Sequence, residues 1–184
     1  MCGPVIIINH SKWRSDILIL LHDSVPSVIT TTDDFYDRAI ELGDRLANAR
    51  KKQRGLRVEE KQYHHVLRSV LIGLYKLVGC PVIRELRKLN IPEQSRVWWC
   101  PTSVFCSLPL HAMGPIPSDD GITRYFLHLY IPSYTPTLFA LIESHKHDQL
   151  QFRPRSATFS CMTFHLYPDC QWEIPIRRKA SCIL

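Results

Sequence analysis

The fold is decided by residues 3–21, "GPVIIINHSKWRSDILILL", which hold two short aliphatic runs separated by polar residues. The runs extend from Val5 to Ile8 and from Ile17 to Leu21. Runs of this length and β-branched content are typical of strands buried on both faces of a parallel or mixed sheet. The sequence therefore predicts that the chain begins inside a sheet.

The next segments predict an edge strand and then a helix. Residues 25–30, "VPSVIT", are a candidate third strand, and Pro26 places it at a sheet edge or at the start of a strand because proline has no amide hydrogen to donate. Thr31 and Thr32 are plausible helix caps. Apolar residues then recur at steps of three and four, which predicts an amphipathic helix over Phe35, Ala39, Leu42, Leu46 and Ala49.

Two further helices and two strands are predicted downstream. A helical apolar stripe extends from Tyr63 to Val78, where Gly79 and Pro81 are expected to end it, and a third, short helix precedes Pro92. The strands are "RVWWC", residues 96–100, and "YFLHLYIP", residues 125–132. On the first strand Trp98 and Trp99 should face opposite sides of the sheet. Strands interspersed with helices predict an α/β layered domain.

The segment that starts at residue 144 has a different character. We expect Thr135 and Pro136 to begin one more helix, and beyond it residues 144–184 show no helical stripe and little alternation. "ATFSCMTFHLY", residues 157–167, is a candidate strand. The sequence therefore predicts one α/β domain over residues 1–143 and an irregular tail over residues 144–184.

Composition limits the classes of partner. The chain has 184 residues, 45% of them hydrophobic, and its apolar runs are too short to span a bilayer. The net charge of +6 has one dense source, "RKKQRGLR" at residues 50–57, which we interpret as a solvated connector because no aromatic residues interleave with it. Seven cysteines without regular spacing or a signal peptide indicate reduced thiols. We expect a cytoplasmic or nuclear protein without membrane or nucleic-acid partners.

Cys106 and His111 are the candidates for a thiol-protease pair. They lie five positions apart in "SRVWWCPTSVFCSLPLHAMG", residues 95–114. A catalytic thiol needs a lowered pKa, a histidine within hydrogen-bond reach and an oxyanion hole. A lone cysteine and histidine seldom form such a pair, and we therefore interpret Cys106, with Cys100, as a buried core thiol.

Metal and cofactor sites are not predicted. Cys161, His165 and Cys170 lie close together in the sequence, and His145 and His147 add potential ligands. Their spacing matches none of the common zinc patterns. His64 and His65 are neighbours on a predicted helix, and so point about 100° apart and cannot chelate one metal together.

Three segments together resemble the CHAT domain, a caspase-like and separase-like peptidase-type domain that in fungi follows tetratricopeptide repeats. They are residues 3–20, residues 79–116, which include "RVWWCPTSVFCSLPLHAMG", and residues 124–144, which include "YIPSYTPTL". The resemblance covers residues 3–143. It implies a three-layer α/β fold in which a central sheet carries helices on both faces.

The resemblance also implies a catalytic pair that this sequence does not show. In the family a histidine lies in a His-Gly turn after one strand, and a cysteine lies in a Ser-Ala-Cys-like turn after the next. No His-Gly dipeptide occurs in the chain, and Ala180-Ser181-Cys182 is only a reversed echo of the cysteine turn. We therefore expect an incomplete caspase-like sheet that stops before the family's active site.

Three functional hypotheses follow. The first is a CHAT-domain protein truncated before its His/Cys dyad and without peptidase activity in this form. The alternative is a non-catalytic module that binds proteins through a sheet edge or exposed helices. The third is a short cysteine enzyme that uses Cys106 and His111. No cofactor is implied by any of them.

Overall fold

A computed structural model describes residues 3–22, 24–55, 60–117 and 121–150 of the chain. They form a mixed α/β domain around a five-stranded sheet in the order β3-β2-β1-β4-β5. β1 pairs antiparallel with β2 and parallel with β4, while β5 continues the parallel part at the far side of β4. The strands are β1 (Val5–Asn9), β2 (Asp16–Leu20), β3 (Ser27–Thr30), β4 (Arg96–Pro101) and β5 (Ile131–Tyr134).

Helical segments follow β3, β4 and β5 in the sequence. The first is α1 (Phe35–Gly55), and a long helical region comes next, made of α2 (Glu60–Leu74), a π-helical segment (Tyr75–Gly79) and α3 (Cys80–Lys88). Two 3-10 turns, Ser103–Ser107 and Leu110–Ala112, follow β4. The last two helices are α4 (Phe126–Leu129) and α5 (Leu138–Leu150).

The main core lies between one face of the sheet and the helices α1, α2 and α3. Strand residues alternate between the two faces, so that Ile6, Ile8 and Trp99 point into this core and are fully buried. Phe35 and Leu46 of α1 meet them from the helix layer. The predicted strands β1 to β4 and the predicted helix α1 are therefore confirmed.

A smaller cluster lies on the opposite face of the sheet. Val5, Cys100 and Leu141 are buried there, and Trp98 packs against them while remaining partly accessible. Leu141 belongs to α5, so helices cover parts of both faces. Trp98 and Trp99 indeed face opposite sides of β4, as the alternation along a strand predicts.

The helix that was expected to end at Gly79 and Pro81 continues to Lys88. Pro81 has no amide hydrogen, and its ring would crowd the carbonyl group of Leu77 in a regular α-helix. The chain widens into a π-turn instead, and the amide of Cys80 bonds the carbonyl oxygen of Tyr75, five residues earlier. Pro81 then occupies the first turn of α3, where a missing amide hydrogen is tolerated.

One helix in the described part of the chain, Lys61–Lys88, is long and apolar enough to cross a membrane by length and composition alone. The mean hydropathy of its most apolar window is 1.7, and 39% of that window is buried inside the protein. Val70, Leu74, Val78 and Leu86 on this helix are fully buried in the main core. Core packing therefore accounts for these four apolar side chains.

Two other predictions differ from the structure. "YFLHLYIP" was predicted as one strand, but only its last residues enter β5, because Phe126, Leu129 and Tyr130 bury themselves through the short helix α4. The cap of α5 is Thr137, whose hydroxyl accepts the amide hydrogen of Ala140, rather than Thr135.

The ends of two helices also differ from expectation. Helix α1 extends into the basic segment as far as Gly55, so part of the predicted connector is helical. Helix α5 continues through residue 144 to Leu150, past the predicted start of the irregular tail. The candidate strand at residues 157–167 and the cysteines and histidine at 161, 165 and 170 lie outside the described residues.

Candidate functional site

The carboxyl ends of β1, β4 and β5 meet at one edge of the sheet because these three strands are parallel. In open α/β sheets this edge is where ligands commonly bind. Thr102, just after β4, connects two of the strands: its hydroxyl donates to the carbonyl oxygen of Ile8 at 2.8 Å and accepts the amide hydrogen of His10 at 3.0 Å. The candidate site is built on this rigid junction.

Cys106 lies in the 3-10 turn Ser103–Ser107 that leaves the junction. Its thiol is exposed and donates a hydrogen bond to the carbonyl oxygen of Pro101, with sulfur and oxygen 3.3 Å apart. The prediction that Cys106 is a core thiol is therefore wrong. In this turn Phe105 and Leu108, three residues apart, take the buried positions, and Cys106 faces outward.

His111 lies in the second 3-10 turn and is held by Tyr134 at the end of β5. The Tyr134 hydroxyl oxygen is 3.0 Å from the backbone nitrogen of His111 and 3.0 Å from its Nδ1. The backbone amide can only donate, so the phenol accepts there and is free to donate its own hydrogen to Nδ1. This pattern places the ring hydrogen on Nε2.

The surroundings shift the pKa values of both partners. Burial raises the pKa of Tyr134 to about 12, although hydrogen bonds from the backbone of His111 and Leu110 act in the opposite direction. Part of the His111 ring reaches solvent, but neighbouring protein atoms desolvate the rest and lower its pKa below the ordinary value. A neutral imidazole and a neutral phenol therefore form this pair near pH 7.

Cys106 and His111 do not form a nucleophile–base pair. Within the described residues no hydrogen bond joins them, because the thiol is bonded to a carbonyl group and Nδ1 of the imidazole to a phenol. Cys100 is confirmed as a buried thiol, and burial is the main cause that raises its pKa. A raised pKa makes a thiolate scarcer, so Cys100 is also a poor nucleophile.

His10 is a residue at this edge that the sequence analysis missed. His10 is buried, with 7% of the residue exposed. Its ring stacks on Tyr36 at 4.5 Å between ring centroids and meets Phe105 edge-on at 5.3 Å. Its Nε2 lies 3.3 Å from the carbonyl oxygen of Tyr36, which can only accept, so Nε2 carries the hydrogen. Nδ1 has no hydrogen-bond partner within the part of the chain that the structure describes. The only signal in the sequence was a polar residue directly after a buried strand.

Ser103 begins the turn that carries Cys106, and its backbone is left-handed, with φ of 54°. Left-handed backbone at a non-glycine residue costs roughly 1 kcal/mol or more. The strained residue directs the chain sharply away from β4.

Metal ligands are not grouped anywhere in the described ranges: no set of three or more His, Cys, Asp or Glu side chains there could hold an ion. His64 and His65 are both exposed on α2. No protein-family model matches the chain, and no curated protein matches it significantly.

Proposed function

We propose that this chain is a protein-binding module built on the scaffold of a CHAT-type, caspase-like domain, and that it does not cleave peptide bonds. The resemblance over residues 3–143 is the basis for the scaffold. A mixed α/β sheet with helices packed on both faces supports that assignment, since the resemblance implies such layers.

The geometry of the thiol candidates argues against catalysis. Cys106 is exposed but bonded to the Pro101 carbonyl, and His111 is occupied by Tyr134. A general base must lie within hydrogen-bond reach of the proton that it abstracts. Neither residue has the partner that thiol catalysis requires.

The outer edge of β5 is the observation that carries the binding function. The amide of Ile131 donates to Ser95, just before β4, and the amide of Thr135, just after β5, donates to Trp99 of β4. Because backbone groups alternate along a strand, those of Pro132 and Tyr134 point away from the sheet. No strand among the described residues pairs with this edge. An open edge of this kind accepts an added strand from another protein.

Apolar side chains accompany the open edge. Ile131 and Tyr134 on β5 are each about half exposed, and Phe139 on α5 is 71% exposed. Ile142, three residues after Phe139 and on the same side of the helix, is also exposed. These side chains would give an added strand or its flanking residues apolar area to bury.

The edge is tested by replacing Tyr134 with proline, which removes the outward amide hydrogen without touching a bond to β4. Tyr134→Phe is the matched control, because it also loses the phenol bond to His111 but keeps the edge. Proteins recovered with the wild-type chain and with Tyr134→Phe, and lost with Tyr134→Pro, are expected. Light scattering with the purified partner then gives the stoichiometry. Recovery of the same proteins with Tyr134→Pro contradicts binding at this edge.

Absence of peptidase chemistry is tested separately with an electrophilic thiol probe. We expect Cys106 to react at the rate of an ordinary exposed thiol and His111→Ala to leave that rate unchanged. Labelling that is lost in Cys106→Ser and strongly reduced in His111→Ala would instead establish the cysteine-enzyme hypothesis.

A further inference from the structure

A cleft lies on the helix layer, away from the carboxyl edge of the sheet, with a volume of about 570 Å³. Its apolar walls come from Tyr75, Ile83 and Ile116. Its rim is cationic, with Arg84, Arg87 and Lys88 of α3. Among the residues that the structure describes, none of those lining the cleft is acidic. The cleft therefore combines an apolar floor with a cationic rim.

The π-helical segment shapes one wall of the cleft. Such wide turns inside helices frequently occur at functional sites. Gly79 at the end of the segment lets the Tyr75 ring lie close against the helix: a Cβ atom on Gly79 would come within 2.9 Å of Tyr75 Cδ2. The backbone of this helix therefore presents the Tyr75 ring to the cleft.

The charges on the rim are only partly compensated. Arg87 pairs with Glu93 at 3.7 Å, and Lys88 pairs with Glu85 at 2.9 Å. Arg84 is exposed; its charge acts on the neighbouring Glu85 carboxylate, but no direct ion pair joins it to a described residue. One guanidinium group thus remains available beside the apolar floor, and guanidinium binds carboxylates through paired hydrogen bonds.

We infer that this cleft binds an acidic segment of a protein partner, with an apolar side chain on the floor and a neighbouring carboxylate on Arg84. The inference rests on the proposed protein-binding function, because that function makes the partner a protein. The cleft shares no residue with the β5 edge. The occupant is an acidic peptide, since charge complementarity requires a carboxylate and the floor requires an apolar group.

Two other ligand classes fit the cleft less well. Phosphate sites commonly use the backbone amides of a helix N-terminus, whereas the cations of this rim lie in the second half of α3. Small-molecule sites bury most of their ligand. This cleft is open, because the side chains of Arg87 and Lys88 are 61% and 65% exposed.

The test uses fluorescence anisotropy on the full chain. The probe is a fluorescein-labelled peptide in which one leucine is flanked by aspartates, and its comparison is the same peptide with asparagines. The acidic peptide should bind about ten-fold more tightly than the amide peptide, and Arg84→Glu should weaken its binding by about ten-fold. Lys51→Glu, an equal charge change at an exposed position on α1, is the control and should change the affinity less than about two-fold.

Each contrary outcome is informative. Equal binding of the two peptides, or no binding of either, overturns the inference. Equal weakening by Lys51→Glu and Arg84→Glu overturns it too, because the attraction would then be diffuse. A short oligodeoxythymidylate that binds more tightly, and with the same dependence on Arg84, would assign the cleft to nucleic acid instead. Circular dichroism confirms that the variants are folded.

The cleft and the β5 edge are distinguished by Tyr134→Pro. This variant should bind the acidic peptide with unchanged affinity if the peptide occupies the cleft. Loss of peptide binding in Tyr134→Pro would place the peptide at the sheet edge and overturn the cleft as its site. Failure of the edge experiment alone leaves the Arg84 result standing.

Discussion

The effect of Gly79→Ala on the free energy of unfolding should depend on the residue at position 75. The substitution should destabilise the protein that has Tyr75 and stabilise the Tyr75→Ala variant. A Cβ atom at position 79 would lie 2.9 Å from Tyr75 Cδ2 and 3.4 Å from Met113 Sδ. The first distance is shorter than packed carbon atoms adopt, so the Tyr75 ring must move. Because the second atom belongs to a flexible methionine, Tyr75 is the main obstacle.

Two opposing free energies set the size of the effect. Alanine is favoured over glycine inside a helix by about 1 kcal/mol. Overpacking costs typically about 1–3 kcal/mol, so Gly79→Ala should destabilise the wild-type chain by roughly 1 kcal/mol. In a Tyr75→Ala background the steric cost disappears, and the same substitution should stabilise by up to about 1 kcal/mol.

The assay is equilibrium urea unfolding of the four proteins in a double-mutant cycle. The predicted coupling between positions 75 and 79 is roughly 1.5–2 kcal/mol, well above the uncertainty of such measurements. An effect of Gly79→Ala with the same sign and size in both backgrounds would refute the close approach of Tyr75 to the helix. It would also remove the reason given for the shape of the cleft wall.

Three other predictions concern single positions. Desolvation lowers the pKa of His111 in the folded protein, so protonation favours the unfolded chain. The stability that neutral His111 contributes is therefore fully present above pH 6.5 and is lost as the pH falls toward the folded-state pKa. His111→Gln should therefore flatten the pH dependence of urea unfolding below pH 6.5, and an unchanged slope would contradict this. Ser103→Gly should raise the unfolding free energy by about 0.5–1 kcal/mol by relieving left-handed backbone, whereas Ser103→Ala should not, as thermal melts can show. Gly3→Ala should cost about 3 kcal/mol or more, because its Cβ would lie 1.7 Å from the backbone oxygen of Arg96, and a near-zero cost in urea would contradict the close approach of β1 and β4.

Local patterns predicted much of the sheet and the first helix. The aliphatic runs of β1 and β2 are short and bounded by polar residues. Pro26 predicted an edge or a strand start, and it lies directly before β3, which is an edge strand. The alternation of Trp98 and Trp99 follows from strand geometry alone. These features depend on neighbours in the sequence, so the sequence can report them.

The remaining differences depend on contacts between distant segments. A proline usually ends a helix. Here burial of Val82 and Leu86 in the core offsets the cost of a π-turn that keeps the helix continuous through Pro81. Cys106 looked like a core thiol, yet the left-handed backbone of Ser103 turns it outward. The cleft joins α3 to Ile116, and no pattern along the chain indicates that they meet.

Pro132 sets a limit on what the open edge of β5 can do. With proline at that position, the outward face of the strand offers two carbonyl oxygens but a single amide hydrogen, from Tyr134. A docked segment can therefore gain only a few backbone bonds, each worth about 1 kcal/mol net. Such a contact is too short to seed an extended stack of chains. Complexes at this edge should be reversible, and partner choice should depend on the side chains that flank the strand.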